Sequence, residues 1–237
     1  FFVDYVFPGI WRKYESDFHR AGINSENNFL ERAKELHKEK RESDNQLAAF
    51  DWDQIILDLL PRGIEPRNPF REELLAGLGR EEPRLYPETS SILDELNSIS
   101  KLNLVVLTNG LLEYQREILG KCNLLEAFSS LYGPDKTGYV KPMEEAFQYV
   151  SDREKNYVLH VGDKEEDIQG ARTFGVSSWL VNRSCSLAGE EYLDARRKKD
   201  KVNERADGLR PRFLSSSLEP AGKIVSLIMD RSRFEGL

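Results

Sequence analysis

The stretch YVLHVGDKEEDIQGARTFG, residues 157–175, decides how the rest of the chain is read. YVLHV (157–161) is a short apolar run of the kind that forms a buried strand. It stops at Gly162 and Asp163. DIQGARTFG then reads as a helix, with Gly175 placed as its C-terminal stop. SSWLV (177–181) is the next strand. Working outward, LNLVVL (102–107) is a further short strand that ends at Thr108, Asn109 and Gly110, and the chain opens with Phe1 to Val3 running into Asp4. Helical patterns separate these strands. PETSSILDELNSI has Pro87 in its first turn and a stripe of Ile92, Leu93 and Leu96. LLEYQREILGKCNLLEAF is an amphipathic helix followed by a shorter one, PMEEAFQYV opens a helix after Lys141 and Pro142, and AGKIVSLIMDR closes the chain. Apolar strands alternating with helices predict a parallel sheet covered on both faces, an α/β fold. Residues 182–212 are charged and weakly patterned, which predicts a long surface excursion.

Residues 11–78 have another rhythm. YESDFHRAGI, NNFLERAKELHKEK, NQLAAFDWDQIILDLL and PFREELLAGL carry apolar residues three and four apart, punctuated at Gly22, Pro61 to Gly63 and Pro69. No strand pattern interrupts them, so this stretch is expected to form a helical unit of its own.

The 237 residues suffice for one large domain or a core plus a smaller one. With 39% hydrophobic and 32% charged residues, the composition is that of a soluble globular protein with a strongly charged surface. A net charge of −7 argues against a nucleic-acid backbone as partner. No apolar run approaches the ~18 residues of a membrane helix, and no signal peptide is visible, although an opening in mid-strand leaves room for upstream residues. Cys122 and Cys185, isolated from each other, suit a reducing, cytoplasmic setting rather than a disulfide framework. Neither CxxC nor HExxH occurs, which argues against a zinc site. Oligomeric state has no signature here.

In parallel α/β folds, functional groups collect where strands end. The strand ends here hold Asp4, Thr108 and Asp163. Together with GYVKP around Lys141 and VLHVGDKEEDIQGA, these motifs resemble the haloacid dehalogenase-like (HAD-like) hydrolase superfamily. FFVDYVF matches only the first acid of its opening DxDx(T/V) motif. VVLTNG matches the second motif, the lysine of VKP the third, and GDKEED the fourth, in the family's order. The resemblance is specific over about residues 85–182. It implies a three-layer, Rossmann-like parallel-sheet core from residues 1–8 and 86–237, and a cap of the helical type from residues 9–85.

The resemblance also implies a division of labour. Asp4 would be the nucleophile, forming an aspartyl-phosphate. Thr108 would hydrogen-bond a phosphate oxygen, and Lys141 would pair with nucleophile and phosphate as a mobile point charge. Asn109 and Gly110 could present backbone N–H groups to the anion at a helix start. Asp4, Asp163 and the backbone carbonyl of Val6 would hold Mg²⁺, a hard ion that takes oxygen ligands. Asp167 would be an outer ligand or an orienter of Lys141. The function implied is a magnesium-dependent phosphatase of a small phosphorylated metabolite.

Other residues have plainer readings. His160 is read as a satisfied packing residue, His19 and His37 as solvated. Asp51 and Asp53, in AAFDWDQII, imitate the DxD spacing but lie inside a helical stretch, so Trp52 and its neighbours are expected to pack within the cap. Val6 stands where a phosphatase of the family has the acid that protonates the leaving alcohol. It admits a slow phosphatase that prefers good leaving groups, a hydrolase acting on another bond, a degenerate non-catalytic member, or a segment absent between Val6 and Phe7. The retained pair Asp163 and Asp167 favours phosphate over halide.

Overall fold

The computed structural model describes residues 2–3, 6–20, 29–43, 45–60, 65–66, 68–80, 83–154, 159–183, 192–194 and 213–232. The elements run β1 (Phe2–Val3), α1 (Val6–Arg20), α2 (Phe29–Arg41), α3 (Trp52–Leu59), α4 (Phe70–Arg80), β2 (Arg84–Leu85), α5 (Thr89–Ser98) and β3 (Val105–Leu107). They continue with α6 (Leu112–Lys121), β4 (Ser130–Tyr132), α7 (Pro134–Thr137), α8 (Glu144–Glu154), β5 (Leu159–Gly162) and α9 (Glu165–Phe174). β6 (Ser177–Val181), β7 (Tyr192–Asp194), β8 (Phe213–Ser215) and α10 (Ala221–Ser232) complete them. The chain divides into two compact units, one of residues Phe1–Tyr86 with Val106–Val140, the other of Pro87–Val105 with Lys141–Leu237.

The first unit is built on aromatic packing. Ile10, Trp11, Tyr14 and Phe18 share one face of α1, and all four are buried. The Trp11 ring lies 5.5 Å from Trp52, 5.8 Å from Phe70 and 6.0 Å from Phe29, so a single side chain ties α1 to α2, α3 and α4. α1 runs unbroken across the Val6–Phe7 peptide. The helical run expected between residues 11 and 78 is therefore present, but NQLAAFDWDQIILDLL is not one helix. A 3₁₀ turn (Gln46–Ala49) ends before Asp51, which is extended and accepts the Gln54 N–H at 3.0 Å as the N-cap of α3. The side chain of an Asp at that place satisfies an orphan helix donor and starts a new helix. Asp53 is structural too: Oδ1 accepts the Phe70 N–H at 2.5 Å and Oδ2 the Tyr114 hydroxyl at 2.9 Å, fastening α3 to the starts of α4 and α6. Trp52 packs inside this unit, as its sequence context implies. His37, expected to be solvated, instead stacks on Trp52 at 5.1 Å, and its Nδ1 lies 2.6 Å from the Ala49 carbonyl. Stacking on an indole covers the ring face, which a charged helix sequence does not reveal.

Among the described residues, the opening strand is paired within its own unit. Phe2–Val3 is antiparallel to Arg84–Leu85, with Phe2 opposite Leu85 and Val3 opposite Arg84. An apolar run specifies burial, while the choice of neighbour is made by tertiary contacts. β3 pairs with β4, a strand that carries no warning in its sequence.

The second unit holds a four-stranded sheet in the order β5-β6-β8-β7. β5 and β6 are parallel, with Leu159 opposite Ser177 and Gly162 opposite Leu180, and β6 and β8 are parallel, with Trp179 opposite Phe213. β7 is antiparallel to β8. Part of the supposed surface excursion is thus a sheet edge. Trp179, Val181, Phe213, Ile224 and Ile228 form its core with Ile92 of α5. Trp179 Nε1 donates to Ser215 Oγ at 2.8 Å, so the buried indole is satisfied. Gly175 ends α9 at φ +86°, the left-handed conformation that a glycine stop anticipates.

Candidate active site

The fourth motif folds as a strand, a tight turn and a helix. β5 ends at Gly162, Asp163 lies in the turn, and Asp167 falls in the first turn of α9. From there the Asp167 carboxylate accepts the Lys164 backbone N–H on Oδ2 at 3.2 Å. Lys141 donates Nζ–H to Oδ1 at 2.5 Å, and His160 Nε2 lies 3.2 Å from the same oxygen. The Lys141, Asp167 and His160 side chains are 12%, 4% and 6% exposed, so this is a buried charge pair with an imidazole behind it. Gly162 makes room for it: a Cβ there would overlap the Asp167 carboxyl.

Burial alone would raise the Asp167 pKa. The hydrogen bond from His160 and the Lys141 ammonium outweigh it and hold the carboxyl well below the usual carboxylate range. Burial depresses the His160 pKa, with Lys141 adding to the effect and the Asp167 hydrogen bond opposing it. An ionised Asp167 carboxylate can only accept, so the geometry casts His160 Nε2 as the donor. As a packing residue His160 meets Phe147 edge-on at 5.1 Å, and the bond to Asp167 goes beyond that reading. Nothing in the local sequence announces it, because the alternation of a buried strand does not say which helix residue lies opposite.

In the first unit, Thr108 follows β3, and its N–H donates to the Tyr132 carbonyl of β4 at 2.9 Å. Its hydroxyl oxygen accepts the Gly110 N–H at 3.0 Å, leaving its own proton to donate. Asn109 is buried. Beyond it, the Leu112 N–H at the start of α6 is shared by both oxygens of Asp135, at 3.1 and 3.2 Å. Gly133 supports this loop: a Cβ would come within 2.9 Å of the Gly110 carbonyl and 2.8 Å of Asp135 Oδ1. Asp135 and Gly133 had no signal beyond a turn-forming GPD.

Asp4 lies outside the described residues, and Val6 is the first residue of α1. Among the described residues, no group of three or more His, Cys, Asp or Glu is arranged to hold a metal ion. The donor chemistry separates the two acids of the fourth motif. Both Asp167 oxygens already face N–H donors, which suits an orienter of Lys141 better than a direct ligand. Asp163 presents an exposed carboxylate at the strand end, a hard oxygen donor of the kind magnesium takes.

A cavity of about 530 Å³ is lined by Arg12, Glu15, Ser16 and His19. Their spacing places them on one face of α1, turned away from its buried aromatic face. Glu15 is engaged by the Phe29 N–H at 3.4 Å.

Among described residues, no helix is long and apolar enough to cross a membrane. The chain is 32% identical over 116 residues to glyceraldehyde 3-phosphate phosphatase of Methanothermobacter thermautotrophicus, a match covering 47% of this chain and 50% of that protein. The chain thus spans about half the length of this curated relative. A HAD phosphatase from Thermococcus onnurineus superposes with TM-score 0.68 at 20% identity, covering 93% of this chain and 89% of that one. YfnB from Bacillus subtilis, in a magnesium-bound structure, superposes with TM-score 0.58 at 18% identity, covering 92% of each. At such identities these structures speak for the fold alone, and the fold is the α/β one read from the strand ends. The family model of haloacid dehalogenase-like hydrolases matches residues 7–175, from the first turn of α1 to the glycine that stops α9, and the chain belongs to that family.

Proposed function

We propose that this chain is a magnesium-dependent phosphatase of a small phosphorylated metabolite, working through an aspartyl-phosphate on Asp4. The observation that carries the reading is the buried Lys141–Asp167 pair at 2.5 Å. Retaining a lysine ammonium in a nearly closed site is costly unless a carboxylate compensates it. Such a fixed cation suits a reaction whose transition state is rich in negative charge.

In this reading, Asp4 attacks phosphorus in line with the leaving oxygen. Thr108 donates its hydroxyl proton to a phosphoryl oxygen, the proton left over once Gly110 has been accepted. Lys141 neutralises a second oxygen, and Asp167 fixes where its ammonium sits. Asn109 and Gly110 line the phosphate side of the loop. Asp4, Asp163 and the Val6 carbonyl would hold magnesium, which when bound supplies charge neutralisation to nucleophile and phosphoryl group. Asp167 acts from outside that ligand set. Residues 1–8 and 86–237 form the core that carries this chemistry, and residues 9–85 the helical cap. The phosphatase name of one relative supports the substrate class. The net charge of −7 argues against nucleic acid, and the buried Cys122 thiol suits a reducing, cytoplasmic setting.

Val6 favours a second reading. With no acid two residues after the nucleophile, the chain could cleave a bond whose leaving group needs no proton, as in dehalogenase- or phosphonatase-like chemistry, or have lost turnover altogether. A metabolite phosphatase screen with and without magnesium, repeated with Asp4→Asn, decides. Magnesium-dependent phosphate release that vanishes in Asp4→Asn is expected. Magnesium-independent turnover, or full activity in Asp4→Asn, overturns the phosphatase reading.

A further inference from the structure

His160 occupies an interior strand position that packing alone would fill with an aliphatic side chain. Burying an imidazole is costly unless its polar atoms are satisfied. Here Nε2 faces Asp167 Oδ1 at 3.2 Å, on the oxygen that also accepts Lys141. The same carboxyl is held on its other oxygen by the Lys164 N–H, and Gly162 leaves no side chain between strand and helix. Phe147 meets the imidazole edge-on at 5.1 Å and limits its rotation. A carboxylate gripped from these sides has little freedom to turn. A bare methyl or methylene in place of Nε2–H would leave Oδ1 with the lysine alone.

We infer that His160 is a positioning residue, which fixes the Asp167 carboxylate so that Oδ1 meets Lys141 in the geometry that phosphoryl transfer needs. As a neutral donor, it does this without adding a second positive charge beside the lysine. The inference rests on Lys141 serving the proposed phosphatase site, but the hydrogen bond and its effect on the Lys141–Asp167 contact can be read without turnover.

The test compares His160→Gln, which keeps an N–H donor at similar reach, with His160→Met, which keeps the volume and loses the donor. Crystal structures, thermal melts, and kcat and KM for p-nitrophenyl phosphate are measured for both and for the parent. In His160→Met, kcat is expected to fall roughly tenfold or more with KM little changed, and the Asp167 carboxyl to turn away from Lys141. His160→Gln should restore the contact and most of kcat at a similar melting temperature. Parental kcat and an intact contact in His160→Met, or equal losses in the two variants, overturn the inference. If the parent hydrolyses no phosphate ester, the phosphatase reading falls by itself. The Lys141–Asp167 contact then decides: lost in Met and kept in Gln supports the role, kept in both overturns it. Nitrogen-15 spectra of the parent imidazole give a check that needs no variant. Nε2 must carry the proton, and an Nδ1–H tautomer overturns the inference.

Discussion

Lys141 Nζ and Asp167 Oδ1 meet at 2.5 Å, with both side chains almost withdrawn from solvent. Removing one partner of a buried pair leaves the other charge uncompensated, typically at ~3–5 kcal/mol. Lys141→Met should therefore lose stability as well as activity. Lys141→Met with Asp167→Asn should regain part of the stability, because no buried charge remains, and none of the activity. Denaturant unfolding of the two singles and the double checks this. Additive losses would mean that the two side chains do not sense each other.

Val6 makes the leaving group decisive. A good leaving group needs little protonation and an alkyl alcohol needs much, a difference of ~10²- to 10⁴-fold for a missing general acid. The chain is expected to hydrolyse p-nitrophenyl phosphate far faster than an alkyl phosphate. Val6→Asp should narrow the gap by accelerating the alkyl substrate. The measurement is kcat/KM for both substrates in magnesium. Equal rates in the parent would show that another group supplies the proton.

Asp51 and Asp53 sit in an apparent DxD yet work as structural acids. Asp51→Ala removes the N-cap of α3 and should cost about 1 kcal/mol. Asp53→Ala removes an acceptor of both the Phe70 N–H and the Tyr114 hydroxyl, and should cost about 2–3 kcal/mol. Aryl phosphate turnover by Asp51→Ala is expected to stay within a few-fold of the parent. Near-complete loss would move the nucleophile to this segment.

Glu88 gives the second unit an acid-sensitive clasp. Burial works to raise its pKa, but hydrogen bonds from the backbone and from Arg183, at 2.8 Å, and the Arg183 charge leave it lowered. A depressed folded-state pKa contributes stability that is complete above the unfolded value of ~4.3 and is lost as pH falls through the folded value below it. Glu88→Gln should lower stability at neutral pH and flatten the fall in stability between about pH 5 and the acid limb. Melting temperatures from pH 3 to 7 check it. Parallel curves for parent and variant would show that Arg183 contributes nothing.

The α/β class and the helical run before it were legible because each is written in local pattern. Apolar runs of strand length, helical spacing of apolar residues, and glycine at a helix stop all report on a few neighbouring residues. β6 was read to the residue, and Gly175 ends α9 with the positive φ that its place implied. The breaks in NQLAAFDWDQIILDLL, the strand at Ser130–Tyr132 and the pairing of Phe2–Val3 with Arg84–Leu85 were not legible. A strand of two or three residues has no period to detect, and its partner is set by what else competes for its backbone hydrogen bonds. The same limit explains His160. Its burial followed from the strand, but its role depends on Asp167, seven residues away on another element, and on Lys141, nineteen residues before it. Sequence by itself determined which groups were available for chemistry. Only the tertiary structure decided that Lys141 and His160 share the Asp167 carboxylate, because a hydrogen bond depends on ångström distances between side chains that local periodicity does not encode.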